Sequence, residues 1–321
     1  MKISDRFFAA FAFIVLLAVS ITADAAETIR IGYTNAQGAK IPVFIAKEQR
    51  IFDKYGLDAR LTRVSPGRLA VPRLISGEIQ FFLGNSGPVI EAIATERAPL
   101  VIIASLGKER FAIFTNPDIR RIDALKGKRF GVSTPGASQD RLAARALKKL
   151  GLDAAKDVRI VATGLSGSSE RLQALARGEV DAVTATADDL LELPPRERAK
   201  VRKLVELADI GILVSGADIS AGRSYLRAQS GTARRFLQAV EEALAVARQR
   251  PDLVAAAYEK YAGRSDPKAL DMKVNEYYAG KPPDRPYPDK AAVASAIEEL
   301  KEKNPDLKPD DPAAYVDESL Y

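Results

Sequence analysis

The chain beyond its first 25 residues alternates between short apolar stretches and segments with apolar residues at helical spacing. Residues 28–33 (TIRIGY) alternate apolar and polar positions up to a glycine, which predicts a short strand. Residues 41–52 (IPVFIAKEQRIF) carry apolar residues three and four apart, which predicts a helix that ends before Gly56. Residues 99–105 are nearly all apolar, as in a parallel strand buried on both faces. This alternation predicts an α/β domain with a mostly parallel sheet.

The same alternation restarts after Lys108 and gives way to helices after Ser224. Five further strands are predicted there, at residues 111–114, 129–132, 158–162, 180–184 and 210–214. Apolar residues at helical spacing then predict helices at residues 232–248, 251–261 and 291–303. Four prolines within residues 281–290 predict an extended linker. The pattern therefore predicts two α/β units, the second at about residues 108–213, followed by a helical tail.

Residues 1–25 have the pattern of an export signal. Lys2 and Arg6 precede an apolar stretch at residues 7–22, and Ala23-Asp24-Ala25 has the A-x-A spacing that a signal peptidase reads. The apolar stretch is shorter than the roughly 20 residues that a membrane span needs. We expect cleavage after Ala25, or one residue later, and a soluble periplasmic protein. An uncleaved N-terminal anchor is the alternative.

The composition excludes several classes of chemistry. The 321 residues include no cysteine and no histidine. The chain therefore has no disulfide, no thiolate nucleophile, no Cys/His zinc site and no Ser-His-Asp triad. An enzyme built from this chain would have to use Asp, Glu, Lys or Tyr as its acid or base. A metal site, a cofactor and catalysis are accordingly not predicted.

The charged residues predict solvated surfaces rather than a nucleic-acid site. The net charge is +6, but the basic residues are dispersed along the chain. Four of them recur on one face of a predicted helix: Arg141, Arg145, Lys148 and Lys149. We expect that face, and the acidic pairs Asp188-Asp189 and Glu241-Glu242, to be exposed to solvent. No basic surface interleaved with aromatic residues is present, so nucleic-acid binding is not predicted.

Three loops rich in glycine and hydroxyl side chains each follow a predicted strand and lead into a helix. They are residues 84–87, 133–138 and 164–169. A helix N-terminus offers unpaired N–H groups and a positive dipole end, which favour carboxylate, sulfonate or phosphate groups. Such loops gather at the carboxyl ends of the strands, where α/β proteins bind ligands. Ordinary helix capping is the alternative for any one loop.

Several motifs resemble one known family in order and spacing over residues 29–261. They are TIRIGY, PVFIAKEQRIFDKYGLDARL, LKGKRFGV, ALARGEVDAV and RSYLRAQSGTARRFLQAVEEAL. The chain resembles the substrate-binding proteins of nitrate/sulfonate/taurine-type ABC importers and the related thiamine-precursor-binding proteins. The resemblance implies a two-lobed type II periplasmic-binding-protein fold with the ligand cleft between the lobes. One lobe would comprise residues 27–107 and 215–321, and the other residues 108–214.

The resemblance also implies ligand contacts. In lobe one they would be Thr34, Asn35, Gln37, Asn85, Ser86 and Ser105. In lobe two they would be Thr134, Gly136, Ala137, Ser138, Ser166, Gly167, Ser168, Thr186 and Asp188. Asp188 would repel an anion, so the donors at the helix starts are the main expected contacts.

The function that the resemblance implies is solute capture for an ABC importer. The protein would close around a small anionic organic solute or oxyanion, of the sulfonate, taurine, nitrate or carboxylate class. It would act as a monomer and deliver the solute to a permease in the inner membrane. Two alternatives remain, a binder of a neutral thiamine-precursor-like pyrimidine and a periplasmic sensor module. Relatives of this fold that make a pyrimidine precursor use an active-site histidine, which this chain lacks.

Overall fold

The computed structural model describes residues 26–134, 138–165, 167–263, 266–309 and 311–321, so the predicted export signal lies outside the described residues. The strands are, in chain order, β1 (Glu27–Tyr33), β2 (Leu57–Arg63), β3 (Phe81–Gly84), β4 (Leu100–Ser105), β5 (Lys108–Glu109), β6 (Phe111–Thr115), β7 (Arg129–Val132), β8 (Arg159–Ala162), β9 (Ala182–Thr186), β10 (Arg202–Glu206), β11 (Val214–Ser215) and β12 (Asp218–Gly222).

The α-helices alternate with the strands up to Gly222 and then dominate the chain. They are α1 (Ile41–Glu48), α2 (Ile51–Lys54), α3 (Ala70–Ser76), α4 (Gly87–Glu96), α5 (Ser138–Lys149), α6 (Ser168–Ala176), α7 (Ala187–Leu191), α8 (Pro195–Arg198), α9 (Arg223–Ala228), α10 (Ser230–Gln249), α11 (Pro251–Ala257), α12 (Pro267–Ala279) and α13 (Lys290–Lys303). None of the helices within the described residues is both long and apolar enough to cross a membrane.

The first lobe is built on a sheet with the strand order β2-β1-β3-β12-β4. β1 pairs in parallel with β2 and β3, whereas β12 lies between β3 and β4 and runs antiparallel to both. β4 is buried along its whole length, as predicted. The prediction that it pairs as a parallel strand is wrong, because the chain returns from the second lobe and inserts β12 beside it.

The second lobe is built on a sheet with the order β10-β6-β9-β7-β8. β7 is parallel to β8 and β9, and β6 is antiparallel to β9 and β10. The prediction of a strand at residues 210–214 is wrong for residues 210–213, and only Val214 belongs to a strand, the short β11. Leu207–Ile210 form a 3₁₀ turn that ends at Gly211, whose φ of 73° suits glycine. The strand that joins the sheet is β10, just before that turn.

The two chain segments that connect the lobes pair with each other. β5 and β11 form a two-stranded antiparallel ribbon in which Glu109 faces Val214 and Lys108 faces Ser215. We refer to β5 and β11 as the hinge ribbon, because they lie in the two connections between the lobes.

The helical tail covers the first lobe and also reaches the second. In α10 the ring of Phe236 stacks on Phe81 at a centroid distance of 3.9 Å. In α13 Glu299 accepts a hydrogen bond from Nε of Arg141 at 3.1 Å, and the Ser295 carbonyl accepts one from Arg145 at 3.1 Å. The basic face predicted to be solvated is therefore partly covered by the tail.

Two smaller predictions also need correction. The helix predicted at residues 41–52 is broken between α1 and α2, where Arg50 adopts a left-handed conformation with a φ of 54°. Glu241 and Glu242 are only partly exposed and form ion pairs with Arg285 and Lys54. The linker predicted before α13 does lack helix and strand between Gly280 and Asp289.

Candidate functional site

A cavity of about 280 Å³ lies between the two lobes. It is closed at one side by the hinge ribbon and at another by the tail helix α12. Its polar lining residues are Thr34, Asn35, Gln37, Lys40, Asn85, Lys108, Glu109, Arg110, Gln139, Ser168, Thr186, Asp188, Asp189, Glu276 and Tyr277. The volume suits a small molecule, and polar side chains of both lobes reach it.

The structure brings about half of the predicted contact residues to this cavity. Those that line it are Thr34, Asn35, Gln37, Asn85, Ser168, Thr186 and Asp188. Thr134 and Gly167 lie within the described residues but are not among the lining residues. Thr134 is exposed to solvent, and Gly167 is the residue before α6. Gly136, Ala137 and Ser166 lie outside the described residues, as does the side chain of Ser138, the first residue of α5.

Ser86 and Ser105 belong to a buried network at the hinge rather than to the cavity lining. The Ser86 hydroxyl donates to Oγ of Ser215 at 3.0 Å, and the Ser215 hydroxyl donates to the carboxylate of Asp218. Burial raises the pKa of Asp218, and nearby hydroxyls of Ser215, Ser86 and Ser105 act against this rise. This network joins β11 and β12 to the start of α4.

The first-lobe wall of the cavity follows the end of β1. The Asn35 amide donates to Oε1 of Gln37 at 3.1 Å, and the Gln37 amide donates to Glu192 of the second lobe. At the end of β3, Asn85 donates to the Ser215 carbonyl at 2.5 Å and accepts from the Gly87 N–H at 2.8 Å. The loops after these strands are thereby held against the hinge and the opposite lobe.

The second-lobe wall contains two acidic residues in different environments. Asp189 accepts hydrogen bonds from the N–H and hydroxyl of Thr186 at 2.9 and 2.8 Å, and the Thr186 hydroxyl accepts from the Asp189 N–H at 3.2 Å. The two residues form the capping box at the start of α7, with Thr186 as the N-cap. Burial raises the pKa of Asp189 to about 6 despite these bonds. Asp188 is only 7% exposed, and burial together with Asp189 and Glu276 raises its pKa to about 7. The prediction that this pair is solvated is wrong, because the short helix α7 turns both residues into the cleft.

Close contact between the lobes depends on a glycine opposite Asp188. Gly38 has a φ of 55°, and a Cβ atom added to it would lie 3.3 Å from Oδ2 of Asp188. The Gly38 N–H donates to the Tyr258 hydroxyl at 3.1 Å. Glycine permits both the left-handed backbone and the narrow gap.

The basic groups of the cavity are already paired with carboxylates. Lys40, 2% exposed, lies 3.0 Å from Oε1 of Glu109. The Arg110 guanidinium contacts Glu206 at 2.6 Å and Glu276 at 2.7 Å. At the start of α6 the Gly167 N–H donates to the side chain of Glu170 at 3.3 Å. These basic groups, and the helix-start donor at Gly167, therefore already face negative charge.

Sequence reasoning missed the hinge and tail residues of the site. Lys40, Lys108, Glu109, Arg110, Glu276 and Tyr277 line the cavity but belong to no motif. Residues 108–110 could have been found from their position, because they lie where the chain was predicted to cross between the lobes. Nothing in the sequence of α12 indicated that it reaches the site. Among the described residues, no group of three or more acidic side chains is arranged to hold a metal ion.

The comparison that decides the family covers two thirds of the chain. The family model described as "NMT1/THI5 like" matches residues 37–253. The chain belongs to the NMT1/THI5-like family. No curated protein sequence matches it. The family resemblance expected from the sequence motifs is thereby confirmed.

Solved structures show that this NMT1/THI5-like protein has the two-lobed periplasmic-binding-protein fold. It is similar to the periplasmic aliphatic sulphonate binding protein SsuA of Escherichia coli, with a TM-score of 0.72 and 21% identity over 91% of this chain and 92% of that one. It is also similar to the alkanesulfonate-binding protein SsuA of Xanthomonas axonopodis pv. citri, with a TM-score of 0.68 and 21% identity over 92% and 100% of the chains.

An enzyme shares the same fold. The desulfurization enzyme DSZB matches with a TM-score of 0.65 and 17% identity over 91% of this chain and 97% of that one. The α/β fold with a cleft between two lobes and a helical C-terminal region is thus confirmed, and the fold is compatible with both binding and catalysis.

Proposed function

We propose that the protein is the solute-binding component of an ABC importer, exported to the periplasm after removal of residues 1–25. The observation that carries the proposal is the cavity between the lobes, to which both lobes and the hinge contribute polar side chains. A ligand that contacts both walls favours the closed arrangement over the open one, because only the closed arrangement offers both sets of contacts. The protein would then deliver the solute to a permease.

The lobes proposed for this movement are residues 27–107 with 215–321 and residues 108–214. Each contains one complete five-stranded sheet, and the chain passes between the sheets only through the region of the hinge ribbon. The Gln37–Glu192 hydrogen bond joins the lobes directly at the rim of the cavity. Closure would form this contact and opening would break it.

Binding is favoured over catalysis by the composition of the chain. The cavity cannot contain a cysteine or histidine, since the chain has neither, and its serine and threonine hydroxyls have no histidine to activate them. A catalytic role would fall to Asp188, whose pKa of about 7 suits an acid or base. Turnover of a bound compound by the wild type, lost in Asp188→Asn, would support this second candidate function.

The first experiment is a thermal-shift screen of residues 26–321. The library contains sulfonates, carboxylates, inorganic oxyanions, pyrimidines and small amines. A ligand that binds only the folded state at 100 times its Kd stabilises it by about 2.7 kcal/mol, so a clear rise in Tm is expected for at least one class.

Two variants locate the binding. Ala187 lines the cavity, and Ala187→Trp is expected to fill it and to abolish the rise in Tm. Ala155 is exposed between α5 and β8 and does not line the cavity, so Ala155→Trp is the matched control, with an unchanged response. The proposal fails if no compound stabilises the wild type, or if both variants respond as the wild type does.

A further inference from the structure

Two hydrogen-bond acceptors in the cavity lining have no donor. Oδ1 of Asn35 and Oδ1 of Asp188 are both buried and without a hydrogen-bond partner. Both residues line the cavity, one from each lobe. Buried polar atoms are almost always hydrogen-bonded, so unpartnered acceptors on residues that line a cavity indicate a missing donor. The hydroxyl of Tyr277, which also lines the cavity, is unpartnered as well.

The network around Asn35 fixes which of its amide atoms is unpartnered. The Glu192 carboxylate can only accept hydrogen bonds, so the Gln37 atom facing it is the NH₂ group. The other Gln37 atom is then its carbonyl oxygen, which accepts from the NH₂ group of Asn35 at 3.1 Å. The remaining amide atom of Asn35 is therefore an oxygen, and it requires a donor.

The surroundings of Asp188 are rich in charge but do not satisfy Oδ1. Asp189 on α7 and Glu276 on α12 raise its pKa, and Lys273 on α12 and Lys40 lower it. Lys40 is committed to Glu109 at 3.0 Å. The Tyr258 hydroxyl accepts from Gly38, and the negative charge of Asp188 helps to raise the pKa of that tyrosine. Within the described part of the chain, no donor reaches Oδ1 of Asp188.

We propose, on the basis of the solute-binding function above, that the captured solute presents nitrogen donors to these two acceptors. The chemical class is a small molecule with an ammonium, an amidinium or a ring amino group, and Asp188 is the residue that selects for it. A group of this kind supplies the N–H donors that both oxygens lack. The pairing of Lys40 and Arg110 with Glu109, Glu206 and Glu276 leaves a bare anion few cationic partners.

Because the solute would bind to Asp188, its affinity should depend on whether the Asp188 carboxyl group is protonated. A cationic nitrogen binds the ionised carboxylate, and burial raises the pKa of Asp188 to about 7. Affinity for a cationic probe should therefore increase as the pH rises from 5.5 to 8, and binding near neutral pH should release a proton. An anion accepting a hydrogen bond from the protonated carboxyl group would give the opposite dependence.

The test uses pairs of probes that differ in one nitrogen. The pairs are taurine and isethionate, 4-aminopyrimidine and pyrimidine, and benzylamine and benzyl alcohol, titrated calorimetrically into residues 26–321 at pH 5.5 and pH 8. The amino-bearing member of at least one pair is expected to bind at least tenfold more tightly. Asp188→Asn should weaken that binding about 10- to 100-fold. The exposed residue Asp118 provides the matched control, and Asp118→Asn should leave the binding unchanged.

The outcomes separate this inference from the proposed function. Preference for the members without the amino group, or unchanged or tighter binding by Asp188→Asn, would overturn the inference and leave solute binding intact. Stabilisation in the thermal-shift screen by compounds without N–H donors, with no response to any amine, would do the same. If no compound in the screen or the titrations bound, both the proposed function and the inference would fail.

Discussion

The hinge and the cavity each contain a buried aspartate, and the hydrogen-bond donors around the two carboxylates differ. Asp218 at the hinge is 2% exposed and lies among the hydroxyls of Ser215, Ser86 and Ser105, with Ser215 donating to it directly. Asp188 in the cavity is 7% exposed, and no hydroxyl or N–H group reaches its Oδ1. One oxygen of Asp218 is also unpartnered, but Asp218 does not line the cavity.

This difference distinguishes a structural acid from one that is available to a ligand. Burial raises the pKa of both groups, because a carboxylate loses its hydration in each place. At the hinge the protein itself provides compensating donors. In the cavity Lys273 and Lys40 act against the rise in the pKa of Asp188, but no donor among the described residues reaches its Oδ1, and the proposed solute would supply one. Without the solute, the buried acidic side chain destabilises the folded protein.

The largest expected effect that tests this comparison is a change in the pH dependence of stability. The pKa of Asp188 is 3.8 in an unfolded chain and about 7 in the folded protein, so the folded state binds the proton more tightly. Stability is therefore lost as the pH rises from about 4 to about 7, by about 4 kcal/mol in total. The amide side chain introduced by Asp188→Asn cannot ionise, so the variant does not lose this stability. The difference in unfolding free energy between the variant and the wild type should therefore be about 4 kcal/mol more in favour of the variant at pH 8 than at pH 4.

Urea unfolding at pH 4, 6 and 8 measures this change. The control is Asp118→Asn, because Asp118 is exposed and should not alter the pH dependence relative to the wild type. Parallel pH profiles for Asp188→Asn and the wild type would mean that Asp188 is solvated or fully compensated in the folded protein, and the contrast with the hinge would disappear.

A smaller effect tests the hinge side of the comparison. Ser215→Ala removes the hydroxyl that donates to Asp218 and accepts from the N–H and hydroxyl of Ser86 at 3.2 and 3.0 Å. Leaving these buried groups unsatisfied should lower the unfolding free energy by about 1–3 kcal/mol. Ser319→Ala is the matched control, since the exposed Ser319 hydroxyl donates to Asp317 at 2.6 Å. Its loss should change stability by no more than about 0.5 kcal/mol.

The smallest effect concerns Asp189, which lines the cavity as Asp188 does but receives hydrogen bonds from the protein as Asp218 does. Its carboxylate is buried in the cleft wall but receives two hydrogen bonds from Thr186. Thr186→Val keeps the shape of the side chain and removes the hydroxyl, which should cost about 1 kcal/mol of unfolding free energy. Thr186→Ser keeps the hydroxyl and should cost less. An unchanged stability of Thr186→Val would contradict a contribution of the hydroxyl, and a loss in Thr186→Ser as large as that in Thr186→Val would mean that the methyl group contributes as much as the hydroxyl.

The sequence predicted the fold well where the local pattern and the tertiary pairing agree. β1, with alternating apolar and polar positions, and β7, predicted at residues 129–132, both lie where their patterns place them. β12 was missed because its sequence, DISAG, is short and rich in small residues, and its pairing comes from β3 and β4 on either side. The antiparallel pairing of β12 with β3 and β4 depends on tertiary structure and cannot be predicted from the local sequence pattern.

The site was predictable to the extent that it follows the ends of strands. Thr34 and Asn85 come directly after β1 and β3, and the carboxyl ends of parallel strands meet at the cleft. Glu276 and Tyr277 were not predictable, because α12 is brought to the cleft by the packing of the tail. The environment of Asp188 was predicted wrongly, since adjacency to Asp189 indicates nothing about burial.

The insertion of β12 also sets an order for the assembly of the protein. All strands of the second sheet lie between Phe111 and Glu206, so this sheet can be completed from one continuous segment. The first sheet lacks β12, the strand between β3 and β4, until Gly222 has been synthesised. The outer edge of β4 is covered by the C-terminal tail, where the Pro286 carbonyl accepts from the Ser105 N–H at 2.9 Å. There Val316 bridges to Ile102, and the Tyr321 hydroxyl donates to the Ile103 carbonyl at 3.0 Å. Such contacts between distant parts of a chain form slowly, so the lobe that begins first along the chain should be the last to mature.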